Sequence, residues 1–272
     1  MTSGAPMTTG ATVPTIILCG GRGTRITESD PTVPKPLVKI GGKPILWHIM
    51  KIYASHGHTD FVLALGWLGE EIRRFFLQYE AMTRDFTVEL GAPGKIEYLG
   101  DHPETGWRVT CRDTGAEALT GTRVARAVEG LVADTVMVTY GDCVGALDIT
   151  GLIAHHRAEG RLATITAVPP PSRFGELVID ESGRVREFAE KPQTSTGAIN
   201  GGFMVFERDA FRRYFPANQD FMLEREPLAA LASDGELTAY EHRGFWQPMD
   251  TPRERLLLEN LWSAGTPPWK IW

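Results

Sequence analysis

The chain has 272 residues, 42% of them hydrophobic and 23% charged, with a formal net charge of −6. That balance describes an ordinary globular protein and excludes a general basic field for nucleic acid or membrane, so an anionic ligand must be met by a local cluster of cations. Three cysteines, Cys19, Cys111 and Cys143, are odd in number and lack metal-binding spacing, which argues against a disulfide framework and for a reducing, cytoplasmic setting.

No apolar run approaches the length of a membrane span. Residues 1–13 are rich in Thr, Gly, Ala and Pro and read as a flexible leader without signal-peptide features. The remainder, 14–272, reads as one domain.

The first predicted strand, Thr15-Ile16-Ile17-Leu18, empties into Cys19-Gly20-Gly21-Arg22-Gly23-Thr24-Arg25, and Pro34-Lys35-Pro36 follows ten residues later. Glycine lacks Cβ and admits positive φ, so successive N–H groups can converge on one anion, with Arg25 and Lys35 adding charge. Two familiar phosphate loops are excluded. Ile26 stands where the dinucleotide motif needs its third glycine, and Pro44 follows Gly41-Gly42-Lys43 where a P-loop needs a hydroxyl.

Pro44 opens a helix striped by Ile45, Ile49 and Ile52 and closed by Gly57. His48 and His56 on it read as packing or surface residues. Phe61 to Leu65 is a second buried strand, a helix follows from about Glu70 to Tyr79, and Val88-Glu89-Leu90 is expected as a short third strand. The alternation predicts a Rossmann-like, mostly parallel sheet with helices on both faces and ligands at the carboxyl ends of its strands.

Residues 91–112 suit a loop or a small hairpin insert. Asp113-Thr114-Gly115 and Leu119-Thr120-Gly121-Thr122-Arg123 then read, on residues alone, as the start of a helix capped by Thr120. Thr135 to Tyr140 is the clearest central strand, and Gly141-Asp142 sets an acid one step past its end. Asp148 opens a helix over Ile149 to Glu159, with His155 and His156 expected on the surface.

Leu162 to Val168 is another core strand, stopped by Pro169-Pro170-Pro171. Arg173-Phe174-Gly175-Glu176 leads into a hairpin over Leu177 to Phe188 that delivers Glu190-Lys191-Pro192. Ile199-Asn200-Gly201-Gly202 leads into a strand to Phe206; its glycines suit close approach, plausible to a sugar ring, and Asn200 offers a donor and an acceptor. A helix from Glu226 to about Gly235 precedes the strand Leu237 to Tyr240. Gly244 to Thr251 carries Asp250, and Pro252 starts a last helix to about Trp262. The apolar tail Pro267 to Trp272 is expected to dock or to lie at a subunit contact.

The G-G-x-G-T-R pattern with its K-P resembles the signature of sugar-1-phosphate nucleotidylyltransferases. The D-T-G and L-T-G-T-R stretches, with Lys43 to Lys51, Ile199 to Phe203 and Gly244 to Thr251, resemble the glucose-1-phosphate cytidylyltransferases within that family, with Leu119 and Thr122 departing from its usual Met and Gly. The resemblance implies a nucleotide-diphospho-sugar transferase fold, with 14–145 binding nucleotide and 146–272 binding sugar phosphate. It implies nucleotide contacts at Leu18, Cys19, Gly20, Gly21, Gly23, Thr24, Thr114, Gly115, Thr120, Gly121, Arg123 and Gly141. Sugar-phosphate contacts fall at Gly175, Glu190, Lys191, Asn200 and Gly201, and catalytic cations at Arg25, Lys35 and Lys191. Asp142 and Asp250 would bind Mg²⁺, the substrates would be CTP and a sugar 1-phosphate, and the assembly a homo-oligomer.

Three alternatives accompany this expectation. One is a nucleotidylyltransferase for another base or sugar phosphate. Another is a non-catalytic sugar-nucleotide sensor. The third is a glycosyltransferase, which the missing D-x-D after Tyr140 disfavours.

Overall fold

A computed structural model describes residues 12–22, 32–91, 94–170, 176–179, 184–189 and 197–272. Its centre is one large sheet, whose strands are β1 (Thr15–Cys19), β2 (Asp60–Leu65), β3 (Arg108–Asp113), β4 (Thr135–Tyr140), β5 (Ala163–Val168), β6 (Ile199–Asn200), β7 (Met204–Glu207) and β8 (Leu237–Glu241). Across the sheet the order is β3-β2-β1-β4-β7-β5-β8, and β6 pairs with β5 beyond the end of β7. β1, β2, β3 and β4 are mutually parallel, as are β5 and β8, while β7 runs antiparallel to both β4 and β5.

Apolar residues run unbroken along β1, β2 and β4 because the sheet is covered on both faces. Ile17, Leu63, Met137 and Val205 face one layer, packed with α1 (Ile45–Ser55) and α5 (Ile149–Glu159). Ile16, Val62, Val138 and Phe206 face the other, packed with α4 (Thr120–Val128), α6 (Arg208–Tyr214) and α7 (Pro227–Ser233). The last helix, α8 (Pro252–Ser263), is fixed at its start by a capping box in which Thr251 and Glu254 satisfy each other's backbone N–H groups.

Several expectations need correction. The strand after the second helix is β3, whereas Phe86–Val88 forms a separate antiparallel ribbon with Ile96–Tyr98. Val88 and Leu90 are 44% and 93% exposed, so their apolar spacing marks surface and not sheet core. The helix after β2, α2 (Gly69–Leu77), stops at Leu77, and a separate short helix, α3 (Tyr79–Thr83), follows. His156 is buried, bonded to Thr164 Oγ1 at 2.8 Å and Glu207 Oε1 at 3.0 Å. Asp148 does cap α5, accepting the Gly151 N–H at 2.9 Å.

The tail docks on its own chain. Trp269 is fully buried, stacks on Phe245, and donates its indole N–H to His48 Nδ1 at 3.3 Å. That assigns the other ring nitrogen of His48 as the donor to the Ile40 carbonyl at 2.9 Å. Trp262 packs edge-on to the same imidazole.

Candidate active site

The sheet order turns at β1, whose neighbours are β2 on one side and β4 on the other. Chains leaving the carboxyl ends of β1 and β4 therefore diverge and open a cleft between them. A cleft of about 350 Å³ lies there, lined by Leu18, Cys19, Gly20, Gly21, Lys35 and Pro36 from one side and by Tyr140, Gly141, Asp142 and Asp250 from another. Ala118, Leu119, Thr120, Arg123 and Met222 complete the wall. A larger hollow of about 510 Å³ lies between the helix after β2 and the edge strand β3, lined by groups such as Phe76, Trp107 and Glu104, and contains none of these residues.

Lys35 sits in a single 3₁₀ turn between prolines and is 8% exposed. Its ammonium lies 2.6 Å from Asp142 Oδ2 and 2.5 Å from Asp250 Oδ1. Burial pulls its pKa down, but the charge and hydrogen bonds of Asp142 and then of Asp250 outweigh it, leaving the ammonium above its ordinary value.

The two acids meet because a short ribbon pairs Cys143–Gly145 with Trp246–Pro248, and the Met249 N–H bonds the Asp142 carbonyl at 2.8 Å. Asp142 thus precedes one strand of the ribbon and Asp250 follows the other. Their side chains remain 33% and 29% exposed, open to the cleft. The pair offers oxygen donors alone and already encloses one cation, a donor set that suits a hard divalent ion completed by substrate and water oxygens. Among the described residues no third His, Cys, Asp or Glu joins them.

Arg123 works as a strut. Its guanidinium is buried and donates to the carbonyls of Gly20 at 3.0 Å, Leu65 at 3.2 Å, Gly115 at 2.7 Å and Ala116 at 3.0 Å, and to Thr114 Oγ1 at 3.0 Å. Burial lowers its pKa, with Asp220 and Glu117 opposing. A Cβ at Gly20 or Gly66 would fall 2.2 or 2.1 Å from its Nη1, so the close approach at Gly20 is to this side chain. A Cβ at Gly21 would meet nothing within 4 Å, which leaves that backbone open.

Other expected contacts are spent inside the protein. The N–H groups of Gly121 and Thr122 donate to the Phe221 carbonyl, so the start of α4 is not a free anion site. Thr120 does not cap the helix; Leu119 holds the cap position, and the Thr120 hydroxyl joins Glu224 instead. A Cβ on Gly141 would lie 2.6 Å from the Leu18 carbonyl. At Gly201 the close approach is to Val168 Cγ1, 2.7 Å from a built Cβ, and its carbonyl takes the Trp246 indole N–H at 2.8 Å. Asn200 lies one strand from the cleft, bonded to Tyr140. Gly23, Thr24, Arg25, Gly175, Glu190 and Lys191 lie outside the described residues.

Sequence reasoning missed Tyr140, Met222 and Glu224. It also missed Arg22, which pairs with Glu117 at 2.5 Å and lies 4.7 Å over the Trp67 ring, joining three loops beside the cleft. Burial raises the Cys19 thiol far above its ordinary range, with Cys111 and Asp142 adding to the effect; burial and then Asp142 raise Cys143, with Lys35 opposing. Neither is a ready thiolate nucleophile.

Comparison with known proteins places this arrangement. The nucleotidyl transferase family matches residues 14–251. Glucose-1-phosphate cytidylyltransferase of Salmonella typhi is 46% identical over 258 residues, which cover 94% of this chain and 98% of that protein. The probable glucose-1-phosphate cytidylyltransferase of Bacillus subtilis is 43% identical over 257 residues, covering 94% and 99%. Among solved structures, HddC from Yersinia pseudotuberculosis shares the fold with a TM-score of 0.64 at 20% identity, over 92% of this chain and all of that one. With its carboxyl-edge cleft, its lysine between two aspartates and these matches along nearly its whole length, this chain belongs to the nucleotidyl transferase family.

Proposed function

We propose that the chain catalyses CTP + α-D-glucose 1-phosphate → CDP-glucose + diphosphate. The observation that carries this is the Lys35 ammonium held between Asp142 and Asp250 beside the glycine loop. A sugar-phosphate oxygen attacks the α-phosphorus of CTP and diphosphate leaves in line. The nucleophile is already an anion, so no general base is needed. The barrier lies in bringing two anions together and stabilising a highly charged leaving group, which is work for positioned cations and backbone N–H groups.

Lys35 supplies one such charge and holds its proton throughout, because both aspartates favour the charged form. Asp142 and Asp250 would hold Mg²⁺, which when bound supplies positive charge to phosphate oxygens. Gly20, Gly21, Gly23 and Thr24 would cradle the triphosphate, with Arg25 beside it. Lys191 and Glu190, with Gly175, would receive the sugar phosphate, and Asn200 the sugar hydroxyls. Arg123, with Thr114 and Gly115, positions the nucleotide loop.

We also propose a cytoplasmic homo-oligomer. No helix of the described residues is long and apolar enough to cross a membrane. Leu77, Met82, Leu90 and Leu99, which fall within one 23-residue stretch of the sequence, are 86%, 76%, 93% and 48% exposed and would be covered in such an assembly.

The test crosses CTP, UTP, dTTP and GTP with several sugar 1-phosphates and detects released diphosphate. CTP with glucose 1-phosphate should give the highest kcat/KM. Binding of CDP-glucose without diphosphate release from any pair would turn the protein into a sensor and end this proposal.

A further inference from the structure

Glu224 stands behind the cleft wall, and its two oxygens serve different parts of it. Oε2 accepts the Thr120 hydroxyl at 2.8 Å, and Oε1 accepts the Tyr140 phenol at 2.6 Å. Thr120 in turn accepts the Leu223 N–H at 3.0 Å, so its one proton is directed to Glu224. Tyr140 accepts an N–H of the Asn200 amide at 3.2 Å, and that amide is oriented by the Gly202 N–H on its oxygen at 2.9 Å. Burial, and then the Glu224 charge, raise the Tyr140 pKa well above its ordinary value, so the phenol keeps the proton it donates. An ionised carboxylate accepts and never donates. One side chain therefore sets the hydrogen direction from the start of α4 to the end of β6.

Thr120 and Tyr140 both face the cleft. With their protons turned back onto Glu224 and one lone pair each already taken by an N–H, each has one lone pair left to offer a ligand. We propose that Glu224 is the specificity-determining residue of this cleft, making Thr120 an obligate acceptor that selects a pyrimidine nucleotide bearing an amino group over one bearing a keto group. This rests on the nucleotidyl-transfer function proposed above. Cytosine presents an N4 amino donor where uracil and thymine present the O4 acceptor. The amino group fills the Thr120 lone pair; a carbonyl there meets a second acceptor and leaves both unpaired. Glu224 acts through Thr120 and is a positioning residue.

The experiment measures kcat/KM for CTP and UTP with the full chain and saturating glucose 1-phosphate. In Glu224→Gln an amide N–H replaces one carboxylate oxygen, a hydroxyl is freed to turn, and the CTP/UTP preference should fall about tenfold or more. Thr120→Val should lose the same factor, the double variant no more, and Thr120→Ser should keep the preference. Should Glu224→Gln fail to fold by circular dichroism, Thr120→Val and Thr120→Ser decide the matter. Equal losses for both nucleotides in Thr120→Val, or in a folded Glu224→Gln, would reduce Glu224 to scaffolding and overturn the proposal. A wild-type chain that releases diphosphate from no nucleotide sinks the function itself. One that prefers UTP leaves nucleotidyl transfer standing and sinks the amino-group selection.

Discussion

Replacing Arg123 by leucine removes the brace under the glycine loop without touching the aspartate pair. Its five acceptors are not equally stranded. The Gly20 carbonyl keeps the Trp67 N–H, and the Leu65 carbonyl keeps both the N–H and the hydroxyl of Thr114. The carbonyls of Gly115 and Ala116 lie at half-exposed and exposed positions and can recover water. The loss is thus smaller than for a sealed ion network, and we expect about 3 kcal/mol, between one orphaned buried group and a broken buried pair. For a chain of this size that lowers Tm by roughly 6–12 °C.

Urea unfolding followed by tryptophan fluorescence measures it. Gly20→Ala gives an independent check, because its Cβ would press on the guanidinium. Alone it should cost about 2 kcal/mol, and in the Arg123→Leu background most of that should vanish. A cost under about 1 kcal/mol for Arg123→Leu, or strict additivity with Gly20→Ala, would show that the strut carries little load.

Three further outcomes follow from the same geometry. Asp142→Asn should cut turnover at least about 10²-fold in a chain that still folds by circular dichroism, read by diphosphate release; activity within a few-fold of wild type would remove Asp142 from the site. Lys35→Met leaves two carboxylates facing each other, so millimolar Mg²⁺ should raise its Tm more than that of wild type, and equal shifts would argue that the pair does not hold a divalent ion. Burial lowers the His48 pKa from its ordinary 6.5 to about 4. The unfolded chain then takes the extra proton between those values, so the neutral ring's contribution, of order 3 kcal/mol, is intact above pH 6.5 and fades as pH falls toward 4. His48→Gln should flatten the stability profile in that window; an unchanged slope from urea midpoints would refute the assignment.

Strands whose side chains are buried on both faces announce themselves in sequence. Ile16-Ile17-Leu18, Phe61 to Leu65 and Val136-Met137-Val138 are continuous apolar runs, and all three lie at the centre of the sheet. The edge strand β3 is Arg-Val-Thr-Cys-Arg-Asp, half exposed, and carries no such run. The ribbon joining Cys143–Gly145 to Trp246–Pro248 is three residues a side and pairs across about a hundred positions, so no local period marks it. Asp142 and Asp250 were legible as acids after strands, but the lysine between them was not, since nothing local ties Lys35 to either. Glycines were legible as places of close approach, but the protein neighbours that also require them, Arg123 at Gly20 and Val168 at Gly201, were not. Glu224 sits in an unremarkable loop, and its two hydroxyl partners lie 104 and 84 residues away.

The docked tail bears on how the protein is made. Asp250 leads directly into α8, Trp262 of that helix lies against Gly41 a few residues after Lys35, and Trp269 locks both from behind through His48. A nascent chain emerging from the ribosome therefore displays its glycine loop and Asp142 long before Asp250, the second carboxylate on Lys35, has been synthesised. The cleft comes into working order only once Asp250 and α8 have been made, and a protease cut between α8 and Trp269 would remove the indole that holds His48 and packs beside Trp262.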